Sequence, residues 1–153
     1  MKTSKLLLVS ASILAALMLG VVFLQVPAQS ALTINVAWNP KSYMWSDLPP
    51  NPFNAELWRQ KVQTTLDPST ILLEGLYSPS APAYNATHGP RLVVPFNGAD
   101  VKAALYAKLP THMGMLIPGT YKIQLVITGQ LYTGETVQGD GPITVTVPSP
   151  PPP

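Results

Sequence analysis

The sequence predicts an all-β sandwich with one short helix, behind an N-terminal segment of a different kind. Three observations predict it. Residues 120–147 alternate apolar and polar side chains with a period of two, the spacing of strands with one buried face. Several shorter alternating runs precede them, each closed by Pro, Gly or Asn, which is the punctuation of a many-stranded β domain. Cysteine is absent, so a packed core rather than disulfides must hold an exported fold, and 153 residues are enough to build one.

The first 30 residues stand apart. Lys2 and Lys5 lead into a mostly apolar run over residues 6–26, followed by Pro27, Ala28, Gln29, Ser30 and Ala31. A basic start, an apolar middle and small residues at Ala28 and Ser30 describe a secretory signal peptide cut between Ser30 and Ala31. The run is also long enough to cross a bilayer, so an uncleaved anchor helix is the alternative. Either way, residues 31–153 are expected at the cell surface or in the extracellular space. Lys2 and Lys5 carry the whole net charge of +2, leaving seven basic and seven acidic residues in the exported part. No basic cluster marks a phosphate-binding face, so nucleic acid is not an expected partner.

In the exported part, Leu32, Ile34, Val36 and Trp38 alternate as a first strand, broken at Asn39-Pro40. Residues 42–52 read as a loop, because three prolines within 49–52 exclude helix and inner strand. Residues 53–62 fit a short helix as well as a twisted strand. Asp67-Pro68-Ser69-Thr70 reads as a turn before a short strand over residues 71–75. Residues 78–90 read as a loop, and residues 91–96 as a strand. Residues 98–108 predict the one helix, with Asp100 near its start and Val101 and Leu105 on one face. Residues 109–119 connect it to the closing hairpin. There Tyr121, Ile123, Leu125 and Ile127 form the inward row, answered by Ile143, Val145 and Val147. Gly134 supplies the positive φ its turn needs. Gly139-Asp140-Gly141-Pro142 predicts a bulge or bend in the return arm. The domain thus spans residues 31–147, and residues 148–153 form an extended Pro-rich tail.

Residues 62–75, VQTTLDPSTILLEG, resemble the "TTIDPSTV-L-G" segment of an exported β-sandwich domain found in bacterial and archaeal surface and secreted proteins. Residues 91–96, RLVVPF, are similar to that domain's "DLVVHF" strand, and residues 121–147 to its closing hairpin. The resemblance covers about half of the exported region, in the same order. It implies an immunoglobulin-like module with a structural or interaction role and no reaction. Members often carry a calcium-loop-like "DVNGDG" before the "DLVVHF" strand. Here residues 84–90 hold no carboxylate, and calcium takes hard oxygen ligands, usually with Asp or Glu among them. No metal is expected there, and no cofactor elsewhere.

No nucleophile elbow and no H-E-x-x-H pair occurs, and His88 and His112 both fall in loop-like segments. The carboxylates read as solvated surface charge, so catalytic residues are not expected. His112-Met113-Gly114-Met115 has the donors of a soft-metal site, although methionines filling gaps at the sandwich edge explain the same letters. Trp38, Trp45 and Trp58 lie close in sequence with Tyr43 and Phe53. Trp38 fits the inward row of the first strand. Trp45, beside Tyr43 in the Pro-flanked loop, is the candidate for stacking on a sugar ring, against a packing or assembly role. Asn85-Ala86-Thr87 matches the N-glycosylation acceptor. Together these features predict a non-catalytic, exported structural or interaction domain. A free first strand, or the edge of the hairpin, would pair with a second copy or a protein partner. The alternative is a secreted carbohydrate-binding module that holds a polysaccharide on exposed aromatics.

Overall fold

The structure, a computed structural model, describes residues 31–59 and 62–149. The expected signal or anchor over residues 1–30, with Ser30 of its cleavage site, lies outside the described residues, as do tail residues 150–153. The described chain is mostly β, consistent with a sandwich of two main sheets. Its strands are β1 (Leu32–Thr33), β2 (Asn35–Asn39), β3 (Ser42–Met44), β4 (Phe53–Trp58), β5 (Leu66–Leu73), β6 (Tyr84–Asn85), β7 (Leu92–Phe96), β8 (Thr111–His112), β9 (Met115–Leu116), β10 (Gly119–Leu131) and β11 (Thr136–Val147). A single helical turn, α1 (Val62–Thr65), precedes β5, and helix α2 (Gly98–Tyr106) follows β7. Among the described residues no helix is long and apolar enough to cross a membrane.

β10 and β11 pair antiparallel from Gly119↔Val147 to Gln130↔Thr136. Gly134 (φ 88°) turns the corner, its N–H bonded to Leu131 O at 2.8 Å. The expected bulge at residues 139–142 does not form: the register runs through them unbroken. Pro142 shares the parity of Thr144, whose N–H reaches Lys41 O on the side away from β10. Its missing donor therefore falls outside the β10 ladder. The glycines answer a different need. β2 crosses directly over them, and a Cβ on Gly139 would overlap Ile34 O and lie 2.8 Å from Ile34 Cγ1. On Gly141 it would lie 2.7 Å from Val36 O.

That crossing belongs to a first run that visits both sheets. β1 lies parallel to β11 at Leu32↔Val137 and Thr33↔Gln138. The chain then passes to the second sheet as β2, antiparallel to β4. It returns as β3, parallel to β11 at Ser42↔Thr144 through Met44↔Thr146. The first sheet is completed by β5 against β10, and the second has the order β2-β4-β7-β6.

Local differences from the sequence reading have local causes. Residues 53–62 open as strand β4, because Phe53, Ala55 and Leu57 alternate inward against β2 and β7. Residues 67–70, expected as a turn ahead of the strand, instead form an irregular stretch inside β5, where the register with β10 shifts between Thr128 and Gln130. Asp67 Oδ1 accepts from Ser69 N at 3.0 Å and Ser69 Oγ at 2.7 Å, while Thr70 Oγ1 accepts from Gln130 N at 2.8 Å. The side chains thus replace ladder bonds that the shift removes. β5 stops at Leu73, before Glu74 and Gly75 turn to positive φ. The loop over residues 78–90 carries the short edge strand β6, and the connection over residues 109–119 carries the small hairpin β8–β9.

The core gathers Trp38, Phe53, Leu57, Val94 and Phe96 from the second sheet with Leu73, Leu125, Ile127, Ile143 and Val145 from the first. Trp38 meets Phe53 edge-on at 6.1 Å, and its indole N–H donates to Gly141 O at 3.0 Å, so its one polar atom is satisfied. Helix α2 adds Val101, Ala104 and Leu105 to the core. Its N-cap is Asn97, whose side chain accepts from Ala99 N at 2.9 Å.

Candidate interaction sites

The first candidate is a sheet edge. β5 pairs with β10 only from Ile127 to Leu131, so among the described residues no strand covers the outer side of β10 from Gly119 to Leu125. Because Thr144 N–H points away from β10 to Lys41, its neighbour Lys122 points its own backbone groups away from β11. Thr120 and Gln124 share that parity. Side chains close only the near end of this edge. Glu74 Oε1 accepts from Val126 N at 2.6 Å and from Lys108 Nζ at 2.7 Å, while Lys108 Nζ also donates to Gln124 O at 2.8 Å. The other edge of the hairpin is taken, since β1 and β3 hold the two ends of β11. The first strand is not free either: Ile34 and Val36 are core residues.

The aromatics divide between core and surface. Tyr43 is 6% exposed, its hydroxyl donating to Asp47 O at 2.7 Å. Parallel pairing with Val145 turns it inward, so it offers no open ring face. Trp45 is half-buried and lies 6.0 Å from the ring of Tyr106. Lys102 Nζ sits 4.9 Å from the Trp45 ring and 5.7 Å from that of Tyr43, and donates to Trp45 O at 3.2 Å. Much of the Trp45 surface is thus engaged within the protein.

Trp58 pairs with Asn35 of β2, and the alternation of β4 places it on the outer face of the second sheet. Arg91 lies 5.3 Å from the Trp58 ring and bonds Glu56 Oε2 at 2.6 Å. Two hollows of about 400 and 290 Å³ adjoin there, both lined by Glu56 and Arg91. Trp58 and Lys41 lie in one, Tyr84 and His88 in the other, and Tyr84 is 52% exposed. Aromatic faces beside a guanidinium and a carboxylate can stack on a ring and hydrogen-bond its hydroxyls. The signal for this site was weak but present: Trp58 continues the outward positions Asn54 and Glu56.

No family model matches the chain, and neither does a curated protein or a solved structure. Asn85 is exposed on β6, with Thr87 exposed two residues on, at the edge of the second sheet. Ala31 is exposed ahead of β1. His112 and Met115 face each other across the β8–β9 pair. Among the described residues no group of three or more His, Cys, Asp or Glu gathers as a metal site.

Proposed function

We propose that the chain is an exported, immunoglobulin-like β-sandwich module that acts without catalysis, as a structural or interaction domain. Its mode of action is addition of a strand from a second copy to the outer side of β10. The observation that carries this reading is the strand-free stretch from Gly119 to Ile123, where Thr120 and Lys122 turn their backbone groups outward and Lys108 holds only the next outward carbonyl, that of Gln124. Such an edge is a template for pairing unless something covers it. The resemblance of residues 62–75, 91–96 and 121–147 to exported surface modules supports the same role.

Lys122→Pro tests it. The substitution removes an N–H that the β10–β11 ladder does not use, so the fold should survive while strand addition fails. Sedimentation of residues 31–153 should show association that the variant abolishes. A parent that stays monomeric at high concentration sinks the reading, as does a folded variant that associates equally well. Deleting residues 31–37 is a poor test, because it removes Ile34 and Val36 from the core.

A second reading, carbohydrate binding, is favoured by the Trp58, Arg91 and Tyr84 face. Under it, Trp58→Ala loses retention on a polysaccharide that the parent binds, with the melting temperature unchanged. Absence of retention across a broad glycan panel removes this reading.

A further inference from the structure

The hairpin β8–β9 closes through a two-residue loop, Met113-Gly114, whose φ values are 50° and 79°. Two consecutive positive φ values are the mark of a type I′ turn, for which Asn-Gly and Gly-Gly are the favoured pairs. Methionine at the first position stands in a conformation that disfavours any residue with a Cβ, by about 1 kcal/mol. Its side chain is 86% exposed and that of Met115 69%. Packing therefore explains neither methionine.

The turn sets His112 and Met115 directly opposite each other. Opposed residues of an antiparallel pair project to the same face, with Cβ atoms about 5 Å apart. Both line one hollow of about 390 Å³, completed by Leu116, Ile117 and Pro118. The base of the hairpin is fixed by Ile117 N–H to Pro110 O at 3.1 Å, and Tyr106 OH reaches Gly114 O at 3.5 Å.

We infer that this hairpin tip binds a soft monovalent cation, Cu(I) or Ag(I), through the His112 imidazole and the Met115 thioether. Thioether sulfur selects such ions, and imidazole suits them. Two donors lining one hollow leave a tetrahedral zinc ion two ligands short, and no carboxylate lines the hollow to serve calcium or magnesium. The apolar walls favour an ion that sheds its water readily. Met113, at the tip, is the additional thioether within the same turn.

The test is titration of residues 31–153 with Ag(I) in chloride-free buffer, read by calorimetry and by NMR of the His112 ring and the methionine methyls. One ion per chain should bind, saturating below about 100 µM, with the His112 and Met115 signals moving together. His112→Ala and Met115→Leu should each weaken binding at least about tenfold while circular dichroism stays unchanged. His88→Ala should leave it alone. No saturation in that range overturns the inference, as does undiminished binding by either variant or tighter binding of Zn(II) than of Ag(I).

Discussion

Gly139→Ala measures how tightly β2 lies across β11. The backbone of Gly139 is outside the left-handed region, so space alone excludes a side chain. A methyl group there would overlap Ile34 O and lie 2.8 and 2.9 Å from Ile34 Cγ1 and Val36 Cγ2. Restoring an ordinary separation of about 3.5 Å or more requires Ile34, in the link from β1, and the start of β2 to withdraw by roughly 1 Å. β2 cannot do so freely, being held by five residue pairs to β4 and by the Trp38–Gly141 hydrogen bond. Overpacking of this kind costs about 3 kcal/mol, and the stiffer unfolded chain returns about 1 kcal/mol. The net loss is about 2 kcal/mol. Urea unfolding followed by tryptophan fluorescence should show a midpoint about 1 M lower, for a slope of about 2 kcal/mol/M. Asp140→Ala, exposed between the two glycines, should stay within about 0.5 kcal/mol of the parent. A Gly139→Ala midpoint within about 0.3 M of the parent would falsify the close-crossing argument.

Three further outcomes follow from named contacts. Trp38→Phe removes the donor to Gly141 O inside the core and should cost about 2 kcal/mol in thermal or chemical unfolding; an unchanged stability would mean the bond contributes nothing net. Glu74→Ala removes the acceptor for Val126 N and Lys108 Nζ, and should cost about 1.5 kcal/mol and speed hydrogen exchange at Val126. Glu74→Gln keeps a side-chain acceptor and should lose less than half as much, a ranking that the reverse order would contradict. Asn97→Ala should cost about 1 kcal/mol by uncapping α2, read as a lower melting temperature with no change in oligomeric state.

The long hairpin was legible because its information is local: a period of two, and a glycine where a turn needs positive φ. The same local reading misjudged residues 139–142. Two glycines and a proline look like a break, but what they answer is a strand more than 100 residues earlier in the chain, as the Trp38–Gly141 separation of 103 shows. Residues 67–70 failed for a related reason. Asp67 and Ser69 do form a local side-chain turn, yet pairing with Gln130 and Leu131 carries the strand through it. The candidate sites divide the same way. His112 and Met115 are four letters of sequence, so their types were visible, while their shared face required the turn geometry. Trp58 and Arg91 lie far apart in sequence and meet only because β4 and β7 pair. Tyr43 looked like a surface aromatic in a Pro-rich loop; pairing with β11 put it in the core.

The run from β1 to β3 grips both ends of β11, and that fixes the order in which the domain can be completed. β1 and β3 have no partner in the first sheet until β11 arrives, more than 90 residues later, so folding is dominated by contacts of long sequence separation and is expected to be slow. A chain synthesised N-terminus first carries Trp38 and its apolar neighbours unsheathed until residues 136–147 follow. Conversely, once the clasp has closed, a protease cut at the exposed residues Ser80, Ala81 and Pro82 would leave two fragments, each holding part of both sheets. Those fragments should stay together under native conditions and come apart only in denaturant.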